Sequence, residues 1–348
     1  MSITASSKAC TGDLQLEYAT SDYAASQPAS WWQGVLGVVG FEKLPLFNRP
    51  RIPVAASMTP SLSAGNLCEV WRVAEPHVPL SSNKSAHARI HYRYSDGLLF
   101  GSLSITEQAT DANGEADALL RATETAYQEI FDVLDGTEHR HLVRIWNYLP
   151  RINAHADGDE RYRHFNAARQ MAFRKSGRAT MGTVPAASAL GSPAGSPLAI
   201  YFLAARSAPR MIENPRQTSA YHYPPKFGRH SPIFSRACLW GEPARSKLFI
   251  SGTASIVGHE SIHRGDVEAQ TRETLVNIDA LVAEANRIVG APRYSPQGLM
   301  LKVYVRNASD FPAVKATLAR VLGTVPGMVF LQAEVCREDL LVEIEAVS

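Results

Sequence analysis

Three places in this sequence of 348 residues carry side chains spaced for chemistry. The first is His259-Glu260-Ser261-Ile262-His263, an H-E-x-x-H pattern. On a helix, its two histidines share a face and hold zinc while the glutamate serves as general base. That chemistry needs a helix and a third ligand. No histidine follows His263, Gly258 and Gly265 bracket the motif, and Asp266 is the best N-cap for the amphipathic run beyond it. The segment is therefore expected in a strand-to-helix connection, with no metal. The second place is Leu341-Val342-Glu343-Ile344-Glu345, where strand alternation sets Glu343 and Glu345 on one side. Both are exposed edge charges, or one is a buried acid. The third is a helix expected from about Asp159 to Phe173. Tyr162 and Arg169 stand two turns apart there and share a face, as solvated groups or as a ligand pair.

The elements that must position these residues come from a chain long enough for about two domains. Apolar residues make up 45% and charged residues 20%, ordinary values for a globular protein with a sizeable core. A net charge of +2 argues against nucleic acid or a membrane as the main partner. The basic residues are mostly arginine, which favours a substrate with carboxylate or phosphate groups. Cys10, Cys68, Cys238 and Cys336 are scattered, without the pairing of a zinc ribbon or a disulfide framework. The N-terminus lacks a secretory pattern and no apolar stretch reaches membrane-spanning length, so a soluble cytoplasmic protein is expected.

Residues 1 to about 90 read as strands and turns. From there a hairpin turning at Ser95-Asp96-Gly97 precedes a helix with Leu120, Thr123, Tyr127, Ile130, Phe131 and Leu134 on one face. A strand, His141 to Ile152, and the helix carrying Tyr162 follow. The later half repeats this order. A strand from Ser246 to Ile256 leads to a helix with Val267, Thr271, Leu275, Ile278, Leu281 and Ala285 on one face. Another strand, Leu299 to Ala308, and a helix opened by Pro312 come next. The repetition predicts two related α+β domains, divided as 1–197 and 198–348. Gly182 to Ala199, rich in Gly, Pro, Ala and Ser, is expected to be a loop too poor in large apolar residues to join a core.

The stretches LFISGTASI, GDVEAQTRETLVNIDALV and VEIEAV make the C-terminal hundred residues resemble the reactive-intermediate deaminase (RidA, YjgF-like) family. That resemblance implies a β-sheet with two helices on one face, assembled as a trimer with clefts between subunits. The deaminases carry a carboxylate-gripping arginine near the strand before the ending. Pro326 to Cys336 contains none, which places imine deamination second.

RIWNYLPRIN, ERYRHFNAARQMAF, SAYHYPPKFGRHSPIFSRA, LFISGTASIVGHES and EVCREDLLVEIEAV extend the likeness across most of the chain, in order, to the chorismatase family. This resemblance implies two YjgF-like (chorismate mutase-like) domains, the first diverged, and a cofactor-free enzyme that releases pyruvate from chorismate. Chorismate is a dianion with an enolpyruvyl ether whose methylene carbon must be protonated. The required acid must be neutral at pH 7, whereas a free glutamate has a pKa near ~4.3 and is ionised. Glu343 matches the family's acid, with Glu345 left as structural. Tyr162 with Arg169, and Tyr223 with Arg236, match its substrate-binding pairs, and two arginines suit two carboxylates. Cys336 lies near a cysteine associated with hydroxybenzoate formation, and Ala254 at a position where alanine goes with a cyclohexadiene diol. Release of 3- and/or 4-hydroxybenzoate is favoured. The family leaves a monomer or a trimer open, and a non-catalytic ligand-binding protein on this fold is the third reading.

Overall fold

The computed structural model describes residues 14–42, 51–63, 65–73, 81–87, 89–108 and 114–348; Cys10 lies outside them. Two six-stranded mixed sheets and one four-stranded sheet pack around a common core. The central sheet contains the hairpin His91–Tyr94 and Leu98–Ile105, then His141–Pro150, Ala186–Ser192 and Leu198–Ala205. The C-terminal sheet contains Ala237–Trp240, Lys247–Ala254, Met300–Val305, Gly327–Gln332 and Val342–Val347. Their orders are the same. In each, the last strand in sequence pairs antiparallel between the hairpin's second strand and the strand after the long helix, and one parallel pair closes the sheet. The expected repeat is present.

Each sheet buries one face under two helices. In the central unit these are Glu115–Asp135 and Arg161–Lys175. Thr123, Tyr127, Ile130, Phe131 and Leu134 are buried as their spacing required, while Leu120 is half-buried beside a fully buried Leu119. In the C-terminal unit they are Val267–Val289 and Phe311–Leu322. Asp266 caps the first, its carboxylate accepting from the Ala269 N–H at 2.9 Å, a contact worth about 1 kcal/mol. Gly290, left-handed at φ 74°, ends it.

Two expectations are corrected. The division at 197/198 would cut off Leu198–Ala205, which sits between two strands of the central sheet and completes it as Val342–Val347 completes the other. The unit therefore ends after Ala205. The predicted loop Gly182 to Ala199 contains a buried strand, Ala186–Ser192, paired parallel with His141–Pro150. Its small residues mark close packing. The Ala187 N–H donates to Ser251 Oγ at 3.0 Å and the Gly191 N–H to the Glu334 carbonyl at 2.7 Å. A Cβ on Gly191 would stand 2.6 Å from Glu334 Cβ. Larger side chains would force the two sheets apart.

The third sheet, Leu14–Thr20, Leu67–Val73, Val35–Gly40 and Val54–Ala56 in spatial order, is a separate layer that the two-domain reading lacked. Among the described residues, two short helices, Ser21–Ser26 and Ala29–Gln33, accompany it. Where the three inner faces meet, Trp146 stacks on Tyr201 at 4.4 Å, and Lys302 bridges Glu69 at 2.5 Å and Glu345 at 3.3 Å. No helix among the described residues is long and apolar enough to cross a membrane.

Candidate active site

A cleft of about 620 Å³ opens between the two large units of this one chain. The central unit supplies Glu160, Tyr162 and Arg163 from the start of its second helix. The C-terminal unit supplies Gly252, Ala254 and Ile256 from one strand and its extension, Glu343 from the last strand, and Cys336 and Arg337 from the connection before it. The segment between the units folds over as a Pro-rich flap carrying Tyr223, Phe227, Pro232 and Phe234, and leads into Arg236. Six of the seven residues singled out in the sequence thus face one cavity: Tyr162, Tyr223, Arg236, Ala254, Cys336 and Glu343.

Arg169, the seventh, does not line it. It is 2% exposed, with its guanidinium carbon 5.4 Å from the Tyr127 ring and 5.7 Å from Phe173. Its Nε and one Nη lack hydrogen-bond partners, and no carboxylate pairs with it among the described residues. A buried guanidinium with no counter-ion is costly.

Glu343 is 4% exposed and lies opposite Ala254 on one side and Tyr304 on the other. Its carboxyl fills the space where Gly252 has no side chain: a Cβ there would stand 1.9 Å from Oε1. Burial, reinforced by the charge of Glu345, pushes its pKa up to about 8 against the pull of Arg144, Arg236 and Arg306. At pH 7 it is predominantly a neutral acid. Glu345, on the same strand face, is held as a carboxylate despite its burial by Lys302, Arg144 and hydrogen bonds from Tyr304 and Trp146. Burial drives the Cys336 thiol up to about 12, so it is uncharged.

The basic side chains are fixed before any ligand arrives. Arg236 donates from Nη2 to Tyr223 Oη at 2.7 Å and to the Thr218 carbonyl at 2.9 Å. Arg337, absent from the sequence-level set, donates to the His259 carbonyl at 2.9 Å and stacks on Phe227 at 4.0 Å, with its other Nη unpartnered. It stands one residue beyond the segment Pro326 to Cys336 read as lacking arginine, and inspecting one more position would have found it. Arg306 braces the connection that carries it, donating to the carbonyls of Val335, Arg337 and Leu340 at 2.8 to 2.9 Å. Arg163, by contrast, is neutralised by Asp159 at 3.0 Å.

The H-E-x-x-H segment is a hairpin: Ile256–Val257 pairs with Glu260–Ser261, and His263 has a left-handed φ of 59°. The two imidazoles share no helix face, as the flanking glycines required. His263 instead approaches Glu273 at 3.6 Å.

Residues 69–204 match the family model described as Chorismatase FkbO/Hyg5-like, N-terminal, and residues 235–348 match Endoribonuclease L-PSP. A 3-hydroxybenzoate synthase from Streptomyces hygroscopicus is 39% identical over 65% of this chain and 68% of its own. A chorismatase from Streptomyces rapamycinicus is 34% identical over 85% of this chain and 86% of its own. A solved chorismatase structure superposes with a TM-score of 0.81 at 31% identity, covering 96% of this chain and 98% of the other. On sequence, family models and fold together, the chain belongs to the chorismatase family.

Proposed function

We propose that the chain cleaves the enolpyruvyl ether of chorismate, with Glu343 as proton donor. The observation that carries this is a buried glutamate, neutral at pH 7 with its pKa near 8, facing a cleft walled by Arg236 and Arg337, neither of which forms a salt bridge to a carboxylate among the described residues. Glu343 protonates the methylene carbon of the enolpyruvyl group, and the ether oxygen shares the charge of the resulting oxocarbenium ion. For hydrolysis, water adds to the ether-bearing carbon of that ion and gives up a proton to the Glu343 carboxylate, and the resulting hemiketal collapses to pyruvate and the ring alcohol. The aromatising route to hydroxybenzoate consumes no water overall. The partial enclosure of the cleft by the flap holds the site's dielectric low, which strengthens each charge interaction within it.

Arg236 and Arg337 face the cleft as carboxylate clamps, with Tyr223 orienting the first and Phe227 supporting the second; Tyr162 forms the opposite wall. Arg169 acts from behind as unneutralised positive charge. Ala254 and Cys336 share one apolar wall and are assigned to product choice. We favour 3- and/or 4-hydroxybenzoate as ring product, supported by Cys336 and by the relative named 3-hydroxybenzoate synthase. The test is incubation of the purified protein with chorismate, pyruvate being followed with lactate dehydrogenase and the ring product by chromatography. Pyruvate formation no faster than the spontaneous background overturns the reading.

Arg337 also supports a second reading, since it supplies the arginine whose absence weakened imine deamination. Ammonia release from an enamine substrate without pyruvate release from chorismate would select that reading.

A further inference from the structure

Glu345 belongs to a buried cluster that touches all three sheets and that the chemistry above does not use. It accepts hydrogen bonds from Arg144, from Trp146 Nε1 at 2.5 Å and from Tyr304 Oη, and Ser188 Oγ lies 3.2 Å away. Lys302 spans from it to Glu69 of the four-stranded sheet. Glu69 is fully buried and is also bonded by Trp71 Nε1 at 2.5 Å. The cluster therefore joins two carboxyl groups, Glu345 and Glu69, to two cations, Arg144 and Lys302, and does not include Glu343. Ser188 ties it to the acid's pocket, since its Oγ accepts the Gly252 N–H at 3.0 Å, and Gly252 is the residue whose missing side chain accommodates the Glu343 carboxyl.

We propose that Glu345 is a positioning residue for the acid: a carboxylate locked in place by Arg144, Lys302, Tyr304 and Trp146, whose charge adds to burial in keeping Glu343 neutral until substrate is bound. This rests on the assignment of Glu343 as proton donor. Glu343 and Glu345 stand two residues apart on one strand face, roughly 7 Å along the chain, so ionising Glu343 would add a second negative charge beside a fixed one. The other groups facing Glu343 act both ways. Arg144 from the central sheet, Arg236 from the flap side and Arg306 from the end of Met300–Val305 favour its ionised form. Cys336 and Tyr162 are uncharged, their pKa values raised by burial. Glu69 enters indirectly, by sharing Lys302. The four-stranded sheet lines none of the cleft, and through Glu69 it takes part in setting the acid.

The test is the pH–rate profile of pyruvate release together with infrared spectra of the protonated carboxyl, using Glu343→Gln as the spectral blank. Wild-type protein should show a carboxylic-acid band at pH 7 that Glu343→Gln lacks, and activity falling as pH rises through about 8. Glu345→Gln should move both the alkaline limb and the band's titration down by about one to two pH units, with the acid plateau of the rate kept. Glu345→Asp should restore most of the shift. Glu69→Gln, which leaves Glu345 in place, should shift both readouts in the same direction by less, and it stands in if Glu345→Gln does not fold. An unshifted limb and band in either folded variant overturns the proposal. Absence of the band in wild type overturns the acid assignment itself.

Discussion

The central and C-terminal units share one topology, and only one holds an acid. Setting Tyr148 on Tyr304, the strand positions opposite them are Ala199 in the central unit and Glu343 in the C-terminal unit. Two residues along, Tyr201 stands where Glu345 does, and Trp146 stands where Lys302 does. In the central unit these positions build an aromatic stack, while the space beside its hairpin strand is closed by Val54, whose carbonyl accepts from Ser102 Oγ at 3.4 Å. The same backbone thus packs aromatic rings at these positions in one unit and opens a charged cleft in the other. Fold permits the site; a few substitutions on one strand make it.

The largest expected effect comes from making the units alike. Glu343→Gln should retain chorismate binding by calorimetry and lose about 10²- to 10⁴-fold in kcat. Near-normal turnover would move the acid elsewhere. Next is Gly252→Ala, whose methyl would claim the position of Glu343 Oε1. A displacement on that scale should cost about 10²-fold in kcat. Arg337→Ala should raise KM about 10- to 100-fold, the worth of one charge-assisted pair, with a smaller change in kcat. An unchanged KM would remove Arg337 from the substrate clamp.

A smaller effect is one of stability. Glu343 binds its proton more tightly when folded, at about 8, than at its ordinary 4.5. Its contribution to folding is therefore complete below about 4.5 and is lost as pH rises to about 8. Thermal melts should show Glu343→Gln gaining on wild type across that window, and a constant Tm difference would mean that Glu343 is not buried as described. The smallest effect is expected from His263→Ala. His263 lies beyond the paired residues of its hairpin and does not line the cleft, so kcat/KM should stay within about twofold and chelator should change nothing. A large loss would return metal chemistry to the H-E-x-x-H segment.

Periodicity made the two longest helices legible, because each buries one stripe, and Asp266 and Pro312 marked the starts of the two C-terminal ones. The strand Ala186–Ser192 was not legible. Its alanines and serines are selected by the close approach of a second sheet, a long-range fact that local composition reports only as loop. The same blindness misplaced the boundary before Leu198. At the site, the motifs brought six residues to one cavity, while Arg169 shares a helix with Tyr162 but turns inward onto Tyr127 and Phe173. Two turns of helix fix angle, not depth. The buried network around Glu345 was hidden because its partners Arg144 and Lys302 lie far away in sequence.

The cleft takes Tyr162 from one unit and Glu343 from the other, joined by one continuous chain. Its walls meet at an effective concentration set by covalent linkage. Turnover per molecule should therefore be the same in a concentrated and a highly diluted solution. A pocket shared between separate chains would instead come apart on dilution.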